Sequence, residues 1–303
     1  MDKTENSITT LVAGELARPV AQEIATLAEA AAAAHGGLGP VRAVLAYGST
    51  LRGVALDDTL ADLYVLTDDL SAVSESPLAR LGCRLVPPNV HYLEITHGGH
   101  TLRAKYAVLP LSQFARRMSG DVSNPYFWAR FSQPCRMVRA ADDAARGEVT
   151  EAITHALRAM LNAGLSTAPQ GAGWRGIWIA ALENTYASEL RPESTARAAG
   201  IVSRNEKWCK GTAALLLGEN FTITADTPRP RINWPLVRIT GKGWSLLRLA
   251  KAAFTFSGGA EYIAWKIERH SGQPVELKDW HKRHPLLAAL VLLPKLLRSG
   301  AVR

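Results

Sequence analysis

Apolar and polar positions along the chain fall into two regimes. Between residues 40 and 110 they form short β-rich runs at 41–47, 60–67, 90–96 and 102–109. The last two flank His97-Gly98-Gly99-His100, which reads as a hairpin turn, and 112–118 begins a helical stretch. Earlier, residues 9–35 carry an Ala-rich helical pattern with Leu11, Leu16, Ile24 and Leu27, ended by Gly36-Gly37. From about residue 148 onward the periodicity is helical. Val149, Ile153, Leu157 and Leu161 recur four apart and predict a single buried face, and 177–190 and 202–217 continue the pattern. Pro228, Pro230 and Pro235 make 222–235 read as a linker. The pattern predicts an α+β chain: a mixed sheet with helices over 1–145, a helical unit over 146–235, and a helical C-terminal segment over 236–303.

Composition narrows the class. With 47% hydrophobic and 20% charged residues the 303-residue chain is not disordered by composition. No apolar run reaches 18 residues; that at 286–293 is eight long and stops at Pro294. The first 35 residues lack signal-peptide and transit-peptide patterns, and Cys83, Cys135 and Cys209 form neither a disulfide framework nor a zinc knuckle. A cytoplasmic protein is the expectation.

Charge adds one feature. The formal net charge is +8, and residues 236–303 alone hold 12 basic against 4 acidic side chains, the whole surplus. Arg248 and Lys251 share one helical face there, with Leu246, Leu249, Ala250 and Ala253 toward the others. Together with Trp244, Trp265, Trp280 and the Leu-rich run, this fits a segment lying on an anionic membrane, where each Lys or Arg contributes about 1 kcal/mol. The alternative is that these helices pack on the rest of the chain or form a dimer interface.

The chemistry-bearing stretch is Tyr47-Gly48-Ser49-Thr50, followed by Ala61-Asp62-Leu63-Tyr64-Val65. A Gly-Ser turn between strand and helix lets backbone N–H groups and a hydroxyl face a phosphate. A carboxylate on the next strand, pointing the same way, can hold Mg²⁺ against a triphosphate. This arrangement resembles the nucleotidyltransferase fold of the polymerase-β type, except that Leu60 stands where the first residue of its Asp-x-Asp pair belongs.

A narrower resemblance is to the mitochondrial-type phosphatidate cytidylyltransferases (translocator assembly and maintenance proteins), whose strand carries a single Asp. Here Tyr47-Gly48-Ser49, Asp62 and Asp68-Asp69 follow that order. Ala104-Lys105-Tyr106-Ala107-Val108 is similar to the family's Lys-Tyr-Gly-Val strand, and Trp128 through Pro134 to its Gly-Arg-Leu-Gln-Lys-Pro segment. Thr185 through Arg191 is similar to its Ser-Tyr-x-Gly-Asp-Phe-Arg helix, so the likeness spans about residues 40–215. Thr50, Arg52 and the missing Trp-His after Asp69 depart from it. The resemblance implies a winged-helix-like second domain and an Mg²⁺-dependent enzyme joining CTP to phosphatidic acid as a peripheral membrane protein. It implies Asp62 and Lys105 as catalytic residues and Tyr47, Gly48, Ser49, Thr50, Arg130, Tyr186 and Arg191 as nucleotide ligands. Asp62 would hold the metal, with Glu94, Asp57 or Asp58 supplying a second carboxylate.

Plainer roles stand beside these. Glu94 alternates with Leu93 and Ile95 and suits a solvent-facing strand position. Lys105 suits an edge-strand gatekeeper, and Arg130, Tyr186 and Arg191 could tie two domains together. His97 and His100 suit a hairpin tip rather than a metal site. The acceptor could instead be RNA, a protein or a small alcohol, or the missing first Asp could mark an inactive nucleotide-binding scaffold. The Leu-rich tail favours lipid over nucleic acid.

Overall fold

The computed structural model describes residues 3–52, 60–120, 124–190 and 195–255. Five strands form one sheet in the order β3-β4-β2-β1-β5. They are β1 (Val41–Tyr47), β2 (Ala61–Thr67), β3 (Asn89–His97), β4 (His100–Pro110) and β5 (Cys135–Ala140). Only β2 and β4 run parallel, so the sheet is mixed. The chain is α+β, as the hydrophobic pattern predicts. The β3–β4 hairpin turns at Gly98-Gly99, both at positive φ, with His97 paired to His100.

Two layers of helix cover the sheet. The helix α2 (Gln22–Gly36) buries Ile24, Leu27, Ala28, Ala31 and His35, spaced three and four apart, and lies against β1, β2 and β4 on one face. It does not continue the preceding α1 (Lys3–Leu16) as the 9–35 pattern suggests, because Pro19 lies between them and lacks the N–H that a continuous helix requires. The short α3 (Pro77–Leu85) precedes β3. The other face carries Tyr47 and Tyr64, packed on Phe131 of α5 (Trp128–Phe131); Tyr64 also meets Phe114 of α4 (Leu111–Met118). Burying each such side chain contributes about 1.5–3 kcal/mol.

The long α6 (Asp143–Thr167) is capped by Asp142, whose carboxylate accepts from the Ala145 N–H at 2.7 Å. Its burial extends beyond the four-apart stripe to Thr150, Thr154, Ala156 and Met160, because α1, α4, α5 and α7 (Trp174–Ala187) surround it. At Gly164 the α6 backbone comes so near α7 that a Cβ would sit 2.2 Å from the Ile177 carbonyl oxygen. The run 202–217 is divided at Asn205 between α8 (Thr195–Arg204) and α9 (Glu206–Leu217). Among the described residues of 146–235 the structure shows these helices and one isolated bridge, Gly173 with Thr222, with no strand pair that would make a wing. Buried residues from Ile8 to Val237 form one continuous core across the expected boundary at 145.

The last described helix, α10 (Trp234–Thr255), begins ten residues before the helical tail segment expected from Trp244. Its inner face packs on α7 and β3: Trp234 donates to Ser166, Arg238 donates to Asn184, and Gly241 lies against Ser188. Leu236, Ile239, Leu246 and Leu247 face outward and are more than half exposed. Among the described residues no helix is long and apolar enough to cross a membrane.

Candidate active site

Strand register assembles the site. Tyr47 pairs with Asp62, Asp62 with Lys105, and Lys105 with Tyr92, so four side chains form a row across one face of the sheet. At the end of β1, Gly48 has φ +89°, a conformation glycine adopts without a Cβ penalty. The space its side chain would fill belongs to Asp62: a Cβ on Gly48 would lie 3.2 Å from Asp62 Oδ2. Glycine is needed here both for the turn and for the carboxylate beside it.

Three of the row, Tyr47, Asp62 and Lys105, open on a cavity of 1320 Å³. Tyr47, Gly48, Ser49, Asp62, Lys105, Arg130 and Tyr186 all line it, so most of the predicted site residues are brought together. Thr50 is buried beneath the turn and is not among the described lining residues. Arg191, Asp57 and Asp58 lie outside the described residues.

Glu94 is also absent from the lining. It sits two residues beyond Tyr92 on β3, about 7 Å along the strand, where it accepts from Tyr92 Oη at 2.8 Å and Arg103 Nε at 2.9 Å. An exposed ion pair holds it, away from Asp62. Among the described residues no cluster of three or more His, Cys, Asp or Glu side chains could hold a metal by itself. The donor set that remains, Asp62 beside open cavity, suits Mg²⁺, which takes one or two carboxylates and completes its shell with substrate phosphates and water.

Among the lining residues not predicted as part of the site, Tyr126, Glu189, Arg248 and Lys251 carry the charge nearest its centre. Arg130 stands 4.2 Å and Arg248 3.8 Å from the centroid of the Tyr126 ring, and Arg130 is 5.7 Å from that of Tyr47. Burial opposes ionisation of Tyr126, but Arg130, Arg248 and Lys105 outweigh it and bring the phenol down to about 8. Lys251 donates to the carbonyls of Val86 and Pro88, at 2.6 and 2.5 Å, and to Asn89 Oδ1 at 3.0 Å; burial lowers it to about 8. Arg248 donates to Asn124 Oδ1 at 2.7 Å. Glu189 lies within the segment that resembled the family's second-domain helix. Arg248 and Lys251 belong to the basic tail.

This corrects the charge reading. Arg248 and Lys251 were expected to lie on a membrane, with packing on the rest of the chain as the alternative; they line the cavity together with Leu249, while Leu236, Ile239, Leu246 and Leu247 face outward. Set against models of known protein families and against curated proteins, the sequence matches none.

Proposed function

We propose that the chain is a nucleotidyltransferase joining CTP to phosphatidic acid, giving CDP-diacylglycerol and pyrophosphate. The observation that carries this reading is the Gly48 turn holding the Asp62 carboxylate at its side, with Lys105 next in the row. The Gly48-Ser49 turn offers N–H groups and a hydroxyl to the β- and γ-phosphates. Asp62 is the residue that would hold Mg²⁺, which when bound offsets charge on the triphosphate. Lys105 neutralises the phosphate being transferred or the one arriving.

A lipid phosphate monoester is already anionic near neutral pH, so one of its oxygens attacks the α-phosphorus of CTP without a strong general base. The new P–O bond forms as the bond to pyrophosphate breaks, and catalysis is mainly positioning and charge neutralisation. The outward leucines of α10 suit an anionic membrane surface, where the acceptor resides.

The acceptor is tested by incubating the protein with α-labelled CTP, Mg²⁺ and vesicles containing phosphatidic acid. The reading predicts label in a lipid product and an equal amount of pyrophosphate. Label appearing on added RNA instead, or nowhere, overturns it; the latter would favour the inactive scaffold that Leu60 raises.

A further inference from the structure

The cavity is far more basic than metal and nucleotide binding at Asp62 alone requires. Its described lining contains nine Lys and Arg against four Asp and Glu. One of those acids is committed elsewhere, since Glu206 pairs with Arg175, outside the lining. The excess is deepest around Tyr126, over whose ring both Arg130 and Arg248 stand. Arg130 Nη1 is shut off from solvent and has no hydrogen-bond acceptor among the described residues. Glu189 is one carboxylate acting on both guanidiniums, a single negative charge against two buried cations, and a guanidinium nitrogen without an acceptor adds to the cost of burying them. An anion bound between these groups offsets both.

We propose that Arg130, Tyr126 and Arg248 form the subsite for the phosphate monoester of the acceptor, with α10 supplying its outer wall. The proposal rests on the cytidylyltransferase reading and assigns the second substrate within that site. The register row is Tyr47, Asp62, Lys105, Tyr92. From Tyr47 a chain of ring contacts leads through Arg130 and Tyr126 to Arg248, and the Lys105 charge acts on Tyr126 within it. Arg248 is anchored at the far end, where its Nε donates to the Pro87 carbonyl at 3.4 Å and Lys251 binds Pro88 and Asn89 at the start of β3.

In-line displacement puts the entering oxygen and the leaving pyrophosphate on opposite sides of the phosphorus. With pyrophosphate at the Gly48-Ser49 turn and Asp62 between, the entering phosphate stands on the Lys105–Arg248 side. Paired guanidiniums suit a phosphate monoester, whose oxygens accept two N–H bonds in parallel. The lowered Tyr126 phenol reports the strength of the positive field there. The basic tail therefore reaches the chemistry directly: α10 turns Arg248 and Lys251 into the cavity and Leu246 and Leu247 outward.

The test compares wild type with Arg248→Gln and Arg248→Lys, each first checked for an unchanged thermal midpoint. Calorimetric titration with dihexanoyl phosphatidic acid, dihexanoyl phosphatidylglycerol and CTP separates a monoester from a diester and the acceptor from the nucleotide. Arg248→Gln is expected to weaken dihexanoyl phosphatidic acid roughly ten- to a hundredfold and leave CTP unchanged, with Arg248→Lys in between. Wild type is expected to prefer the monoester. Weaker CTP binding with the monoester unaffected reassigns Arg248 to the nucleotide and overturns the proposal, as does equal binding of monoester and diester. If Arg248→Gln does not fold, Arg248→Lys carries the same comparison. Because the titration needs no turnover, monoester binding lost in the variant without lipid product in wild type separates failure of the catalytic reading from failure of the subsite.

Discussion

Replacing Gly48 by Ala probes the link between the turn and the carboxylate. Two costs are written into the geometry. At φ +89° a Cβ strains the backbone by about 1–2 kcal/mol. The same Cβ would stand 3.2 Å from Asp62 Oδ2, tighter than ordinary contact, so the carboxylate must give by a few tenths of an ångström. The first cost lowers the thermal midpoint by about 2–8 °C. The second acts on chemistry: Mg²⁺ demands near-ideal ligand geometry, and displacing a catalytic group by 1 Å costs about a hundredfold. A shift of a few tenths therefore predicts turnover down by about tenfold, with a raised Mg²⁺ requirement. Pyrophosphate release against Mg²⁺ concentration, alongside scanning fluorimetry, measures both. Gly14→Ala, on α1 with open space around its Cβ and no positive φ, is the control that should lose neither. A Gly48→Ala protein with wild-type Mg²⁺ dependence and rate would refute the claim that this glycine makes room for Asp62.

Burial, then His35 and Lys251, pushes the His91 imidazole down to about 4. Between pH 6.5 and 4 the unfolded chain therefore takes up a proton the folded chain refuses. Stability should fall by about 3 kcal/mol as pH drops through that window, with no such contribution above it. His91→Phe, which preserves stacking on Tyr106, should flatten that part of a urea-midpoint-against-pH curve, and an unchanged slope contradicts this. Glu94→Gln removes the charge from an exposed pair with Arg103 while an amide oxygen can still accept from Tyr92, so Mg²⁺ dependence should be unaltered and stability should change by less than about 1 kcal/mol; a lost Mg²⁺ response would make Glu94 a metal ligand. Leu246→Gln with Leu247→Gln should abolish flotation with anionic vesicles while sparing activity on a short-chain acceptor. Flotation equal to wild type would remove α10 from the membrane surface.

Much of the sheet was legible because its strands carry their own signals. The runs at 41–47, 60–67 and the glycine-turned hairpin all became strands with ends shifted by little. β5 escaped because Arg136 and Arg139 interrupt its apolar pattern and it pairs at the sheet edge, where only β1 holds it. Asp62 and Lys105 could each be suspected from their motifs, but their adjacency comes from parallel pairing of strands 40 residues apart. Glu94 read in sequence either as a second metal ligand or as a solvent-facing strand position; a register two residues farther along β3 from Tyr92 sets it apart. α10 was the hardest to orient. With cations on one face and leucines on another, either face can turn inward; Gly241 against Ser188, Lys251 in its carbonyl cage and the hydrogen bonds of Trp234, Arg238 and Arg248 decide which does. The contiguous core likewise reflects α6 packing on both halves, a tertiary fact with no local sequence mark.

The central claim is that Asp62, beside Gly48 and Lys105, is the metal-holding carboxylate of a nucleotidyl-transfer site. Asp62→Asn keeps the side chain's shape and removes its charge, so pyrophosphate release from CTP with Mg²⁺ and phosphatidic acid tests the claim most directly. The account predicts at least a hundredfold loss of rate at an unchanged thermal midpoint. Release at the wild-type rate from a folded Asp62→Asn protein would contradict it.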